Sequence, residues 1–159
     1  NGGFLTGSDI ESDCGLLTAL PTRDAVLPIV SVLLAAAEKK SSLVDLFARL
    51  PARYGKAGLI DPFPIETSLA IVQGCDEPML SKVFTRRLGF DEIVDINTLD
   101  GIRVFFRNGD IAHIRPSGNA PQLRIYAVSD SQERANKIVS FALREPHGIL
   151  RKLEKALSG

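Results

Sequence analysis

The 159-residue sequence contains no tryptophan, one methionine, two cysteines and only 6% aromatic residues. Because aromatic side chains supply the stacking surfaces that bind single-stranded nucleic acid, this class of partner is not expected. Basic and acidic residues number 19 each, so the formal net charge is +0. A balanced charge provides no general attraction to nucleic acid or to an anionic membrane. An anion-binding site in this protein must therefore be local and formed by a few residues.

The sequence also lacks a long apolar run, a signal peptide and a cysteine framework. Its longest apolar stretch, AVLPIVSVLLAAA at residues 25–37, is shorter than the ~20 residues that cross a bilayer and contains Pro28. We therefore predict no membrane partner, and a helix that is buried on most faces. Cys14 and Cys75 match no metal-ligand or disulfide spacing. They are typical of reduced, buried thiols in a cytoplasmic protein.

Residues 1–50 combine a glycine-rich opening with two helical segments. The opening 20 residues contain several glycines and predict loops and turns. A helix is predicted from Thr22, a suitable N-cap, to about Lys40. Ser42 begins the Ser-x-x-acid pattern of a capping box, which predicts a second helix over residues 43–50. Pro51 ends this helix, and we place the domain boundary beside it, between residues 52 and 53.

Residues 53–159 predict a domain that contains both helices and strands. Helices are expected over residues 64–74, 78–88, 132–143 and 146–157. Between the second and third of them lie four strand-like runs, EIVDIN, GIRVFFR, DIAHIRP and LRIYAVS. Asn108-Gly109 is a strong signal for a two-residue hairpin between two of these runs. The pattern predicts an α+β fold with a small, mainly antiparallel four-stranded sheet packed by helices, preceded by a mostly helical segment.

The loop between the last two strand-like runs has the composition of a phosphate-binding site. Arg115 stands before the loop and Arg124 after it, and a guanidinium pairs with two phosphate oxygens at once. The Ser117 hydroxyl and the backbone N–H groups of a tight bend can donate to the other oxygens. Gly118 permits a close approach of the backbone, and Asn119 supplies a further donor. A plain structural turn with two surface arginines has the same composition, so both interpretations stand.

The segment RPSGNAPQLRIY resembles the Arg-Pro-Ser-Gly-Thr-Glu-Pro loop of the α-D-phosphohexomutases, the family of phosphomannomutase and phosphoglucomutase. Residues 100–139 look like the core of the fourth, C-terminal domain of that family. NGGFLTGSDI resembles the sugar-binding loop of the third domain, and residues 22–51 are similar to the helical segment after it. The resemblance implies that 1–52 is the C-terminal part of an α/β sugar-binding domain. It implies that 53–159 is the phosphate-binding domain.

The resemblance also assigns individual residues. It makes Arg115, Ser117, Gly118 and Asn119 phosphate-loop residues, and Arg124 remains either a second phosphate partner or a surface charge. It also assigns Gly3, Phe4 and Thr6 to the sugar-binding loop. Phe4 and Thr6 stand where the family has a sugar-reading Glu and a Ser, and Asn119 and Ala120 replace the family's Thr and Glu. These departures imply a substrate preference that differs from that of the commonest members.

As a member of this family the complete protein would be an intramolecular phosphotransferase. It would interconvert hexose 1-phosphate and hexose 6-phosphate, such as those of mannose and glucose. The family's phosphoserine loop and its Mg²⁺ loop belong to two N-terminal domains that nothing here matches, so this chain alone is expected to be inactive. The resemblance implies that the chain binds the sugar and its phosphate together with those domains. It would close as a mobile lid about a hinge near residues 51–58.

Two other functions remain open at this stage. One is a non-catalytic phosphosugar- or phosphate-binding module, and the other is a structural interaction domain. The acidic residues Asp9, Glu11 and Asp13 are interpreted as a solvated loop rather than a metal site. Residues 1–50 are also expected to expose apolar surface that the missing part of their domain would cover.

Overall fold

The computed structural model describes residues 4–157, which form two compact units that divide between Pro51 and Ala52. The first unit contains β1 (Ile10–Ser12), β2 (Gly15–Leu17), α1 (Val26–Glu38) and α2 (Leu43–Phe47). The second unit contains β3 (Tyr54–Ile60), α3 (Ile65–Gly74), α4 (Glu77–Val83), β4 (Ile93–Asn97), β5 (Ile102–Phe106), β6 (Ile111–Pro116), β7 (Leu123–Ser129), α5 (Gln132–Leu143) and α6 (Ile149–Leu157). A short 3₁₀ helix spans Arg86–Leu88.

The second unit has the predicted α+β fold, but its sheet has five strands instead of four. The spatial order is β3-β7-β6-β5-β4, and every neighbouring pair is antiparallel. The four predicted strands are β4 to β7. The prediction missed β3, which adds an edge strand by pairing along its whole length with β7. Residues 54–58 therefore belong to the sheet, and the predicted hinge near 51–58 is wrong for that part.

Two glycines explain why β3 was not recognised from its sequence. Glycine weakens a strand because it has no side chain to pack, so the sequence YGKAGLI does not show the pattern that predicts a strand. In the fold, however, Gly58 lies where α5 packs closely on the strand. A Cβ at this position would approach Leu143 Cδ1 to 2.5 Å and Val139 Cγ1 to 2.7 Å. Gly58 is thus required by packing against α5, a helix far away in the sequence, a constraint that local sequence does not reveal.

The two faces of the sheet have different surroundings. Helix α3 packs against β6, and helix α5 packs against β3 and β7, so one face of the sheet lies in the core. Buried and half-buried residues alternate strictly along β7, as expected for a strand with one covered face. The largest fully buried side chains are Phe63, Phe90, Ile71, Leu80, Ile102, Ile114, Leu123, Ile125, Ile138, Ile149, Leu150 and Leu153. The opposite face, which we call the open face, presents Arg103, His113, Arg115, Arg124 and Tyr126.

Serine side chains cap two helices, and the cap at Ser42 is the one that the sequence predicts. The side chain of Ser42 accepts a hydrogen bond from Asp45 N, and Ser131 accepts one from Arg134 N. The first long helix departs from the prediction, because it begins at Val26 and the Asp24 carboxylate, not Thr22, accepts from its first N–H groups. The predicted helix over 78–88 is broken after Val83. Phe84 lies there in an aromatic cluster, with its ring centroid 5.0 Å from that of Phe90 and 5.5 Å from that of Phe106.

Three expectations for the first unit were wrong. The opening residues contain the β1–β2 hairpin, not only loops, so this unit is less helical than predicted. Helix α1 has a single buried residue, Ala36, because its apolar side chains have few neighbours within the unit; Ile29 and Leu34 are about 60% exposed. Cys14 is exposed, whereas Cys75 is half-buried. Among residues 4–157, no helix is long and apolar enough to span a membrane.

A buried ion pair fixes the β5–β6 hairpin to α5. The Asp110 carboxylate accepts hydrogen bonds from Arg134 Nε at 2.8 Å and from Asn108 Nδ2 at 2.9 Å. Burial alone would raise the pKa of Asp110. The hydrogen bonds from Ser129, Arg134 and Asn108 outweigh this effect and hold the pKa below its usual value. The charged carboxylate therefore stabilises the fold.

Replacing Gly58 should test the close packing of α5 on β3. We expect Gly58→Ala to lower the free energy of unfolding by about 1–3 kcal/mol, because the new methyl group overpacks against Val139 and Leu143. Gly55→Ala is the matched control, since its Cβ would meet only Ala127 O at 3.8 Å. Urea unfolding monitored by circular dichroism measures both. Equal stability of the two variants would contradict the packing argument.

Replacing Asp110 should test the buried ion pair and its pH dependence. We expect Asp110→Asn to cost roughly 2–3 kcal/mol at neutral pH, since it weakens hydrogen bonds to a charged group. The contribution of the wild-type carboxylate is complete above about pH 4, the pKa of an unfolded aspartate, and is lost as the pH falls through the lower folded pKa. The variant should therefore lose less stability than wild type on acidification, as measured by urea unfolding at neutral pH and at about pH 3.

Asp130→Asn provides the control for this experiment. Asp130 pairs with Arg53 at the surface, where its side chain is 72% exposed, so we expect a change of at most about 1 kcal/mol. A loss for Asp130→Asn as large as that for Asp110→Asn would contradict the special role of the buried pair.

Candidate functional site

Residues 117–122 form a tight loop that joins β6 to β7. Ser117 N donates to Gln122 O at 3.0 Å, and Gln122 N donates to Ala120 O at 2.8 Å. The loop is also attached to the start of α3, because Phe63 N donates to Pro121 O at 2.6 Å. Pro116 and Pro121 restrict the backbone on both sides. The loop is thus held in one conformation before any ligand is bound.

Arg115 and Arg124 lie directly opposite each other on β6 and β7, at the base of the loop. Directly opposed side chains of an antiparallel pair share one face of the sheet and lie within about 5.5 Å at Cβ. Two cations at this separation repel each other. The register therefore concentrates positive charge at one point of the open face, where an anion would relieve the repulsion.

The guanidinium of Arg124 is held by two neutral acceptors. One terminal nitrogen donates to Ser117 Oγ at 3.1 Å and to Gln122 Oε1 at 3.2 Å. Its Nε is buried and has no hydrogen-bond partner among the described residues. A buried donor without a partner is costly, and such a group is commonly explained by a ligand or a water molecule. No carboxylate in the described part of the chain neutralises Arg124, so its full charge remains for an anion.

Ser117 occupies the centre of the predicted site. The residue is 7% exposed, and its Oγ accepts from Arg124 and, at 3.5 Å, from Asn119 N. Because both contacts use the oxygen as an acceptor, the hydroxyl hydrogen remains available to a ligand. Gly118 and Asn119 are exposed at the tip of the loop, and an added Cβ at Gly118 would meet no atom within 4 Å. The backbone there is open to approach from outside.

A shallow groove lies beside Arg124 on the open face. Its volume is about 300 Å³, and it is lined by Ala57, Gly58, Leu59, Arg124 and Tyr126. Ala57, Gly58 and Leu59 of β3 form one wall, and Arg124 and Tyr126 of β7 form the other. The groove provides room for a small molecule next to Arg124. It depends on β3, the strand that the sequence did not predict.

Three residues that support the arginines were missed from the sequence. Asp100 accepts from Arg115 Nε at 2.9 Å. Gln122 contacts Arg124, and its own Nε2 donates to Asp61 Oδ2 at 2.7 Å. Asp61 is 61 residues away in sequence and Asp100 lies in a turn before β5, so no local pattern connects them with the loop. The pair Asp100-Gly101 has the composition of a turn, but it does not indicate which residues the turn contacts.

The predicted sugar-binding residues can be located only in part. Gly3 lies outside the described residues. Phe4 forms a backbone bridge with Asp24, and Thr6 is buried with its Oγ1 accepting from Leu20 N at 2.8 Å. Both line an apolar groove of about 270 Å³, together with Leu17, Leu27 and others. The Thr6 oxygen therefore has a structural contact, and the assignment of these residues to sugar binding stays a prediction.

The described part of the chain contains no cluster of side chains that could hold a metal ion. Among residues 4–157, no three His, Cys, Asp or Glu side chains lie close enough together to hold a metal ion. Asp9, one of the acidic residues near the start, accepts from Ala19 N at 2.6 Å and thereby stabilises the local backbone. The described residues therefore include no cluster that fits a Mg²⁺ site.

Comparison with known proteins places the chain in a family. Residues 37–144 match the family model described as phosphoglucomutase/phosphomannomutase, C-terminal domain. The chain is 41% identical over 146 residues to a phosphomannomutase of Salmonella muenchen, covering 90% of the chain and 30% of that protein. It is 37% identical over 147 residues to a phosphomannomutase of Sinorhizobium fredii, with the same coverage.

A further similarity is shorter. The chain is 43% identical over 49 residues to a probable phosphoglucosamine mutase of Methanosphaera stadtmanae, which covers 31% of the chain and 11% of that protein. The chain thus spans about 30% of the length of the two phosphomannomutases that it matches over most of its own length.

Two glycines near the site allow fold and binding to be tested separately. We expect Gly118→Ala to leave the free energy of unfolding unchanged, because the added Cβ meets no atom within 4 Å. We expect it to weaken the binding of inorganic phosphate, because the methyl group occupies the side from which a ligand approaches. Gly101→Ala should instead cost more than about 2 kcal/mol, since its φ is +85° and its Cβ would lie 2.3 Å from Ile114 O.

Thermal unfolding and a phosphate titration followed by NMR measure the two effects. A stable Gly118→Ala variant that binds phosphate as tightly as wild type would contradict close ligand approach at the loop.

Proposed function

The chain belongs to the phosphoglucomutase/phosphomannomutase family, and we propose that it is the phosphate- and sugar-binding C-terminal part of a hexose-phosphate mutase. The observation that carries this proposal is the pair of directly opposed arginines, Arg115 and Arg124, at the base of the 117–122 loop. The partnerless Nε of Arg124 supports it further. A dianionic phosphate supplies the acceptors and the charge that this arrangement lacks.

In the proposed complex the two guanidinium groups bind the phosphate from neighbouring strands. Each can donate two parallel hydrogen bonds to phosphate oxygens. The Ser117 hydroxyl and the exposed N–H groups near Gly118 and Asn119 supply shorter-range donors. Because the loop is already closed by backbone hydrogen bonds, little conformational entropy is lost when the ligand binds.

The proposed role of this clamp in the reaction is positional. A mutase that exchanges phosphate between two positions of a hexose must hold the phosphate that is not reacting. Fixing one end of the sugar places the other end at the reacting group, and such orientation lowers the barrier of the chemical step substantially. The reacting phosphoserine, and the Mg²⁺ that neutralises charge on a transferring phosphoryl group, would come from elsewhere in the longer protein. This chain alone is therefore expected to be inactive.

The proposed substrates are the 1- and 6-phosphates of mannose and glucose. Two relatives with high coverage of the chain carry the name phosphomannomutase, which favours mannose phosphates. Phe4 offers no acceptor for sugar hydroxyls, so recognition of the hexose would depend on other contacts of the first unit and of the N-terminal domains. The proposal includes a cytoplasmic location, in keeping with hexose phosphate metabolism.

The proposal includes a lid movement of the unit that begins at Ala52. Because β3 begins at Tyr54 and pairs along its length with β7, a hinge is restricted to the few residues around Pro51. Domain closure about such a short segment would bring the clamp to the substrate and exclude water.

An NMR titration of the ¹⁵N-labelled chain tests the phosphate clamp. Mannose 1-phosphate, glucose 1-phosphate and inorganic phosphate should each shift the amide signals of residues 115–124. Arg115→Ala should weaken binding by roughly 10- to 100-fold, because charged hydrogen bonds are worth about 1.5–3 kcal/mol. Arg115→Lys should recover only part of the affinity, since lysine lacks the planar fork.

Arg107→Ala is the matched control. Arg107 is exposed just after the end of β5, at the opposite end of the β5–β6 hairpin from the clamp, and its removal changes the net charge equally. It should leave the dissociation constant within about twofold of wild type if the clamp is local. Equal losses for both variants would indicate a general charge effect and contradict the proposal.

Activity of a longer protein that contains this chain separates the mutase from a binding module. A mutase should interconvert mannose 1-phosphate and mannose 6-phosphate, and Arg115→Ala should lower its kcat/KM. Phosphate binding without turnover in that protein would favour a non-catalytic phosphosugar-binding module. Absence of binding and of turnover would favour a structural domain.

A further inference from the structure

The turn between β4 and β5 lies in direct contact with the backbone of Arg115. Gly101 in this turn has a φ of +85°, and a Cβ there would lie 2.3 Å from Ile114 O and 3.1 Å from Arg115 Cα. Only glycine allows an approach this close with that backbone conformation. The preceding residue, Asp100, is therefore placed beside the Arg115 side chain by the fold itself, and not by chance surface contact.

A second contact fixes Asp100 from the other side. His113 Nε2 is hydrogen-bonded to the backbone oxygen of Asp100. Because a carbonyl oxygen can only accept, Nε2 carries the proton of this bond. The His113 ring is 9% exposed and lies 5.8 Å from the Tyr126 ring, so it has little freedom to move away. Asp100 is held by its own carbonyl and by the neighbouring glycine.

The Asp100 carboxylate uses this fixed position to bind one defined atom of Arg115. Its Oδ1 accepts from Nε at 2.9 Å. For the described residues, Nε is the one nitrogen of Arg115 with a hydrogen bond, and the two terminal nitrogens make none. Those terminal nitrogens form the end of the guanidinium fork that matches two oxygens of a phosphate. Contact at Nε thus restricts the rotamers of Arg115 and leaves its binding end open.

We infer that Asp100 is a positioning residue, which holds the Arg115 guanidinium in the orientation that presents both terminal nitrogens to a phosphate. The inference rests on the proposed function of the loop. It predicts that Asp100 promotes the binding of an anion although it carries a negative charge beside the site. A carboxylate that merely competed with phosphate for Arg115 would have the opposite effect, so the sign of the change separates the two roles.

Two substitutions of Asp100 distinguish orientation from charge. Asp100→Ala removes both the acceptor and the charge, and Asp100→Asn removes the charge but keeps an oxygen that accepts from Nε. We expect Asp100→Ala to raise the dissociation constant for inorganic phosphate about five- to tenfold, because Arg115 must then be ordered on binding. We expect Asp100→Asn to bind as tightly as wild type or more tightly. The side chain is 61% exposed, so neither change disturbs the core.

Asp95→Ala is the charge control. Asp95 lies on the exposed strand β4, and its Oδ1 accepts from the N–H of its own neighbour Ile96. This variant loses the same charge without touching Arg115, and its dissociation constant should stay within about twofold of wild type. Amide titrations by NMR measure all variants, and the Arg115 ¹H–¹⁵Nε signal provides an independent readout. That signal should be protected from exchange in wild type and in Asp100→Asn, and unprotected in Asp100→Ala.

The outcomes separate this inference from the proposed function. Asp100→Ala binding phosphate as tightly as wild type, or more tightly, would overturn the positioning role while the clamp remains. Equal weakening of Asp100→Ala and Asp100→Asn would also overturn it, because the accepting oxygen would then have no part in binding. The proposed function and the inference would be overturned together if phosphate shifted no amide signals of the loop in the wild-type protein and none in the Arg115→Ala variant.

Discussion

The structure of the site depends on one electrostatic constraint, the placement of two arginines directly opposite each other on neighbouring strands. Arg115 and Arg124 repel each other at this separation, so the arrangement needs negative charge nearby. The exposed Asp100 carboxylate balances part of the positive charge through its ion pair with Arg115, and Arg124 meets two neutral acceptors. In the proposed complex a doubly charged, oxygen-rich ligand completes this arrangement, and phosphate is the simplest group of that kind.

The rest of the second unit can be understood as the support of this pair. The covered face of the sheet buries a core that fixes the register of β6 and β7, since a slip of one residue would turn the arginines into the core. Strand β3 widens the sheet beyond β7 and forms one wall of the groove beside Arg124. The loop that joins the two strands is closed by its own backbone hydrogen bonds. Each of these elements holds the two arginines in place, and none of them supplies a reacting group.

The sequence was sufficient for features that depend on neighbouring residues. The α+β class, a hairpin at Asn108-Gly109 and the cap at Ser42 all follow from local chemistry, although the hairpin loop has three residues, 107–109, and not the predicted two. The composition of the 115–124 segment also predicts a phosphate loop, and this assignment stays a prediction. Features that depend on distant residues were missed. Strand β3 was missed because it contains two glycines, one of which, Gly58, is required by the packing of α5; Asp100 and Asp61 reach the loop only after the chain has folded. Helix α1 was expected to be buried from its apolar composition, but composition does not show which surfaces are available to cover it.

The most direct test of the account is a crystal structure of the chain with mannose 1-phosphate bound. The account predicts that phosphate oxygens lie about 2.7–3.1 Å from terminal nitrogens of both Arg115 and Arg124 and from the Ser117 hydroxyl. It also predicts that Asp100 still contacts Arg115 Nε in the complex. A phosphate bound away from the 117–122 loop, or held there without either arginine, would contradict the central claim that the opposed pair is a phosphate clamp.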